Sequence, residues 1–309
     1  MTQAGATTVA VMGAGSVGCY FGALLARAGT PVTLIGRPHH VEAVNARGLL
    51  LEIAAAREFI PVRATSAASG VAGADIVLFC VKSQDTDATG RAMAPYLSPG
   101  ATILSLQNGV DNADRLEAVL GRPVLPVAVY VATEMTGPGA VRHHGRGELV
   151  IGAGPSSAGI AALFGAAGIP TTVSADAGAA LWGKLIVNCA YNALSALAQW
   201  PYGRLLREDG VVAVMTEVVG ECSAVARASG IPVSDDILES VLGLAATMPE
   251  QCSSTAQDIA RGKPSEIDHL NGFIVRKGLQ LGIPTPTNRV LHTLGLVELQ
   301  RELMTAAQR

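Results

Sequence analysis

Residues Thr8 to Gly18 read Thr-Val-Ala-Val-Met-Gly-Ala-Gly-Ser-Val-Gly, a short apolar run ending in glycines at 13, 15 and 18. A helical pattern, Ser16 to Ala28, follows at once. A G-x-G-x-x-G spacing between a strand and a helix is the dinucleotide-binding signature, and each glycine has a separate task. Gly13 turns the chain at the strand end, Gly15 lets backbone approach a pyrophosphate, and Gly18 lets the helix lie close to the strand. The amides of Ser16, Val17 and Gly18 open the helix, where donors and dipole both favour phosphate. The motif does not separate NAD, NADP and FAD, and a glycine turn that merely packs strand on helix is the plainer alternative.

The remaining pattern divides the chain. Up to about residue 175, apolar runs alternate with helical stretches: Val32 to Ile35, Asp75 to Val81 and Thr102 to Leu106 follow Val9 to Met12 as strands. Alternation of this kind predicts a doubly wound parallel sheet, and unbroken apolar strands fit a sheet covered on both faces. Val124 to Val131, Gly139 to His143 and Glu148 to Ile151 read as further strands completing the same domain. Beyond about residue 178 the signal is helical: Leu181 to Gln199, Gly210 to Ser229, Asp235 to Thr247, Pro249 to Arg261, Ser265 to Leu281 and Thr287 to Met304, punctuated by prolines and glycines. We therefore expect a Rossmann-type domain over 1–178 and an all-helical domain over 179–309. With no long linker at the junction, the two are expected to touch and form a cleft.

Composition excludes several classes. The chain of 309 residues is 49% hydrophobic and 15% charged, which supports a sizeable core and argues against disorder. A net charge of −3 without a basic block gives no footprint for nucleic acid or an anionic membrane. The five cysteines have no C-x-x-C pairing and read as small core residues in a reducing compartment. The amino terminus reads as a first strand and not as an export signal, and no apolar run suffices for a bilayer. The expectation is a soluble cytoplasmic protein. None of the six histidines has a trusted metal-ligand spacing, so no metal site is expected, and His143-His144 read as an exposed hairpin.

The end of the second strand discriminates cofactors. An acid there bonds the ribose hydroxyls of NAD, whereas an Arg accommodates the 2′-phosphate of NADP. Here Ile35 runs into Gly36-Arg37-Pro38-His39-His40, and no acid precedes Glu42. Arg37 is therefore the expected 2′-phosphate ligand, with His39 or His40 assisting.

Ligands of doubly wound sheets bind beyond the carboxyl ends of the strands. Lys82 and Asn108 stand at two of those ends, although a Lys there can simply snorkel and an Asn before Gly can simply turn the chain. In the helical half, Lys184, Asn188 and Asn192 are spaced i, i+4, i+8 and share one face of a largely apolar helix. A buried cation and two amides are costly unless paired, so they face a polar network or a ligand. A second polar group lies at Ser253 to Asp258 and Ser265 to Asp268. Within it, Ser254 with Gln257 fits a capping box and Glu266 fits a helix first turn.

Together these residues resemble the ketopantoate reductase family. The likeness runs nearly end to end through Gly13-x-Gly15-x-x-Gly18, Arg37, Val81-Lys82, Gln107-Asn108-Gly109, Trp182-x-Lys184-Leu-x-x-Asn188-x-x-x-Asn192, Ser253-Ser254-x-x-Gln257-Asp258 and Glu266-Ile-Asp-x-x-Asn271-Gly272. The resemblance implies a Rossmann-type NADPH domain and a helical domain like that of 6-phosphogluconate dehydrogenase. It implies Lys184 as general acid and Glu266 as the acid contacting the substrate or that lysine. Asn188, Asn192 and Ser254 hold the substrate's hydroxyl and carboxylate in this reading, and Lys82 and Asn108 lie between cofactor and substrate. The implied activity is NADPH-dependent reduction of 2-dehydropantoate to pantoate, for pantothenate synthesis. The alternatives are a reductase of another 2-oxo acid and a non-catalytic NADPH sensor. The expected partner is a small 2-oxo acid, with neither nucleic acid nor membrane, and a homodimer is compatible with the sequence. Two departures from the family pattern, Ser83-Gln84-Asp85 and Thr255-Ala256, are expected to line the pocket.

Overall fold

The computed structural model describes residues 6–307, with only the backbone path described over 299–307. The chain forms two compact units: residues 1–107 with 111–177, and residues 108–110 with 178–309. The short segment Asn108–Val110 thus groups with the second unit although the sheet unit surrounds it in sequence.

The first unit runs β1 (Val9–Met12), α1 (Ser16–Arg27), β2 (Val32–Ile35), α2 (Pro38–Arg47), β3 (Leu49–Ile53), β4 (Ala56–Ile60), β5 (Arg63–Thr65), β6 (Ile76–Phe79), α3 (Thr86–Met93), β7 (Thr102–Ser105), α4 (Asn112–Leu120), β8 (Val124–Gly137), β9 (Ala140–Gly152), α5 (Ser157–Ala166) and β10 (Thr171–Ser174). The sheet order is β4-β3-β9-β8-β7-β6-β1-β2-β5, with β10 beside β9. Strands β5, β2, β1, β6, β7 and the start of β8 are parallel. Then β8 continues into a long antiparallel ladder with β9.

Period-two alternation places the core on both faces of the sheet. Val9 and Val11 join one apolar cluster with Phe21, Leu78 and Leu104. Ala10 and Met12 join the other with Val77, Phe79 and Ile103. Helix α1 is closed by a glycine: Gly29 adopts φ +89° and donates its amide to the Ala26 carbonyl.

Strands β3, β4 and β5 are not evident from the sequence. The β3–β4 hairpin turns through Ala54 at φ +51°, so the Gly, Asn or Asp that announces such a turn is missing.

The second unit contains α6 (Ala177–Ala198), α7 (Tyr202–Leu205), α8 (Val211–Ala228), α9 (Ile237–Thr247), α10 (Ser254–Ala260), α11 (Asn271–Leu281) and α12 (Pro286–Ala307). Helix α6 is central: Leu185, Ile186, Cys189, Ala190 and Tyr191 are all buried in one cluster with Met215, Val218 and Cys222 of α8. Two sequence expectations change here. Residues 249–253 are not helical, because the Pro249 and Gln251 carbonyls accept the Gly203 and Tyr202 amides at the start of α7. The stretch expected as one helix from Ser265 to Leu281 is a 3-10 turn over Ile267–His269 followed by α11, broken at Leu270 with φ −109° and ψ −98°. No helix among the described residues is long and apolar enough to cross a membrane.

Candidate active site

The glycine loop of the first unit has the geometry its spacing demands. The amides of Gly13 and Ala14 both donate to the Ile35 carbonyl, at 3.0 and 2.8 Å, and Gly15 donates back to Gly13 at 2.8 Å. Gly13 sits at φ +105°, and a Cβ there would lie 2.7 Å from the Cys80 carbonyl carbon. A Cβ on Gly18 would lie 2.7 Å from Val11 Cγ1 and would also strike the Gly13 carbonyl oxygen. Gly15 differs: it is exposed, and nothing stands within 4 Å of a Cβ built on it. It is also the N-cap of α1 and lends no side chain to the first-turn amides. An uncapped twelve-residue helix facing open space is a fitting cradle for a pyrophosphate.

Arg37 follows β2 as the exposed N-cap of α2, and no carboxylate pairs with it among the described residues. That leaves its guanidinium available for a 2′-phosphate. His39 is exposed beside it. His40 is not an assistant: its ring is buried, with Nδ1 accepting the Gly139 amide at 2.9 Å and Nε2 3.3 Å from Cys19 Sγ. Burial, with His39 nearby, lowers the His40 pKa, so it serves as a neutral structural clasp between α2 and the β8–β9 turn. Lys82 follows β6, half-buried, where the chain enters a short 3-10 turn over Ser83–Asp85.

In the second unit Lys184 Nζ donates to Asn108 Oδ1 at 2.8 Å, and Asn108 Nδ2 donates to Glu266 Oε2 at 3.2 Å. A carboxylate on one side and an ammonium on the other leave the amide one sensible orientation. Glu266 is 6% exposed and immediately precedes the 3-10 turn, so it is not in the first turn of an α-helix as the sequence suggested. Asp268 of the same segment turns elsewhere, pairing with Arg276 at 2.9 Å and His292 at 3.0 Å. Burial would raise the Asp268 carboxyl, but those two partners outweigh it and hold its pKa below the ordinary value.

The polar stripe of α6 runs from this cluster. Lys184 and Asn188 are half-buried, and Asn192, about 12 Å along the axis by helical rise, is 2% exposed. Asn192 Nδ2 is fully buried with no protein partner. Ser253 and not Ser254 caps α10: its Oγ accepts the Ala256 amide at 3.0 Å and donates to the Asn192 carbonyl at 3.3 Å. Gln257 instead donates to the Cys252 carbonyl, so the expected Ser254–Gln257 capping box does not form. Ser254, released from capping, is exposed beside the far end of the stripe. Thr255 and Ala256 are buried in α10, with Ala256 packed on Ala196 and Ile259; they do not line an open pocket. Ser265 of the second polar group, next to Glu266, has a buried Oγ with no hydrogen-bond partner. A lone serine in a polar stretch gives no signal of burial.

A dinucleotide cradle with a free arginine at the second strand, and a lysine–amide–carboxylate chain on helical scaffolding, define an NADP-type oxidoreductase built from a Rossmann domain and a helical domain. Comparison with known proteins agrees. The family model "Ketopantoate reductase PanE/ApbA" matches residues 9–156 and its C-terminal counterpart matches 176–296. The chain belongs to the ketopantoate reductase family, an NADPH-using family of oxidoreductases. It is 37% identical over 299 residues to 2-dehydropantoate 2-reductase of Halobacterium salinarum, covering 93% of this chain and 97% of the relative. It is 33% identical to the enzyme of the same name from Pyrococcus horikoshii, covering 92% and 95%. The crystal structure of a PanE/ApbA family ketopantoate reductase from Ralstonia eutropha JMP134 is 58% identical, with a TM-score of 0.93 over 96% of this chain and 99% of that one.

Proposed function

We propose that this protein reduces the 2-oxo group of 2-dehydropantoate to pantoate, with Lys184 as the proton donor. The observation that carries this reading is the chain from Lys184 through Asn108 to Glu266 at the head of an amide stripe. The cofactor, when bound, supplies the hydride that the 2-oxo carbon accepts. Negative charge then develops on the carbonyl oxygen, and the Lys184 ammonium both stabilises it and gives it a proton from Nζ. Asn108 orients Nζ by accepting one of its hydrogens, and Glu266 holds Asn108 in the orientation that can accept. Asn188, Asn192 and Ser254 fix the substrate's remaining oxygens, which converts orientation into rate. Gly13, Gly15, Ser16, Val17, Gly18, Arg37 and Lys82 hold the cofactor. The five free cysteines suit a cytoplasmic setting.

The deciding assay is steady-state NADPH oxidation with 2-dehydropantoate, pyruvate and bulkier 2-oxo acids. The highest kcat/KM is expected for 2-dehydropantoate; a higher value for another acid reassigns the substrate, and no oxidation with any of them leaves a cofactor-binding protein.

Two substitutions test the binding groups. Arg37→Ala is expected to weaken NADPH about tenfold or more, the value of one charge-assisted hydrogen bond, while NADH binding hardly changes. Equal wild-type affinity for the two cofactors in a fluorescence titration would remove Arg37 from this role. Ser254→Ala and Asn188→Ala are each expected to raise KM for 2-dehydropantoate with NADPH affinity intact. A drop in Tm with unchanged KM would instead assign these side chains to packing.

A further inference from the structure

The turn that carries Asn108 has a buried polar foundation that the reaction scheme above does not use. Between β7 and α4 the chain passes through Asn108 and then Gly109, a glycine at φ +98°. A glycine in that conformation restrains its neighbours weakly. Yet Asn108 must hold its carbonyl oxygen 2.8 Å from the Lys184 ammonium. The restraint comes from either side of the turn.

On the upstream side Gln107 is 5% exposed. Its Nε2 donates to the Val81 carbonyl at 3.1 Å and to Thr86 Oγ1 at 2.8 Å, and its Oε1 accepts from Ser105 at 3.0 Å. On the downstream side Asn112 is 2% exposed. It donates to Ser83 Oγ at 3.0 Å, and its Oδ1 accepts from Thr86 at 3.1 Å. Thr86 joins the two amides: its hydroxyl accepts from Gln107 and donates to Asn112, using both of its capacities. Arg115 closes the set by donating to the Ser83 carbonyl at 3.1 Å. Both ends of the turn are therefore tied to the loop that follows β6.

We infer that Gln107 is a positioning residue for the reductase reaction: its buried amide anchors the turn so that Asn108 is held where it can orient Lys184. Gln107 has no need to touch substrate or cofactor to do this. Its side chain fixes its own backbone against the Val81 carbonyl, and the next peptide begins Asn108. A buried, satisfied network of this kind is stiff, and removing one member leaves several polar groups unpaired. The inference rests on the proposed role of Asn108 and Lys184.

The test is a double-mutant cycle with turnover normalised to NADPH-binding sites. Gln107→Leu keeps approximate bulk and loses every hydrogen bond, and Thr86→Val removes the shared hydroxyl at nearly constant shape. Gln107→Leu is expected to lower kcat about 10- to 100-fold, as small misplacements of catalytic groups do, with Thr86→Val intermediate. NADPH affinity should stay within about threefold, less than the tenfold worth of one charge-assisted contact. In an Asn108→Ala background, Gln107→Leu should cost little further kcat, because the residue through which it acts is gone. Should Gln107→Leu fail to fold, the same cycle with Thr86→Val decides. Wild-type kcat per binding site, or a kcat loss that is fully additive with Asn108→Ala, overturns the inference. Lys184→Ala run alongside separates the two levels: retained turnover there refutes the proton-donor reading, whereas lost turnover there with normal Gln107 variants refutes only the positioning role.

Discussion

Lys184→Ala is expected to keep the fold and NADPH affinity and to lose turnover by about 10²–10⁴, the usual contribution of a positioned general acid. The loss has two parts. The ammonium stabilises charge on the carbonyl oxygen as it forms, and it then supplies the proton. Both vanish with the side chain, while the α6 core beneath it, built on Leu185, Ile186 and Cys189, is untouched. Glu266→Ala should also impair turnover, because Asn108 then loses its hydrogen bond to the carboxylate. The combined variant should be little worse than Lys184→Ala alone, since groups acting as a unit are not additive. Near-normal kcat in Lys184→Ala would point to another donor, and Lys82 would be the next to substitute.

Gly15→Ala and Gly18→Ala are expected to fail in opposite ways, although both belong to one motif. At Gly15 the backbone lies at φ −86° and ψ −168°, which alanine tolerates, and its methyl meets no protein atom within 4 Å. The fold should survive with an unchanged Tm. The methyl nevertheless occupies the approach to the first-turn amides, and losing one charge-assisted bond weakens NADPH about ten- to a hundredfold. At Gly18 the methyl would press into Val11 and the Gly13 carbonyl, forcing α1 off β1. Overpacking of this kind costs about 1–3 kcal/mol, which lowers Tm by several degrees in a chain of this size. Thermal melts and NADPH titrations on the two variants distinguish these outcomes. A Tm loss in Gly15→Ala, or full stability in Gly18→Ala, would contradict the division of labour between the glycines.

Much of this architecture is legible in the chain because its signals are local. The glycine spacing, the strand that runs into Arg37 and the three polar residues along one face of α6 depend only on strand and helix periodicity, which residue order sets directly. The elements misread are those where a distant partner overrides local preference. Residues 249–253 leave the helix because their carbonyls serve α7, and the cap of α10 moves to Ser253 because Asn192 offers it a carbonyl. His40 sits in a cofactor-like context by sequence, yet an amide 99 residues away claims its ring. The hairpin at Ala54 has no turn signature at all.

The candidate site divides along the same line. That Lys184, Asn188 and Asn192 share a face follows from a 3.6-residue turn, and no knowledge of the rest of the chain is needed. That Asn108 stands between Lys184 and Glu266, 76 and 158 residues from them, is decided only by packing. So is the network of Ser83, Thr86, Gln107 and Asn112 behind it, whose members no sequence spacing joins. Periodicity is a property of consecutive residues and can be read from their order. A hydrogen bond between side chains far apart in the chain has no local signature, because its cost and its stabilisation appear only once the core has excluded water from both groups.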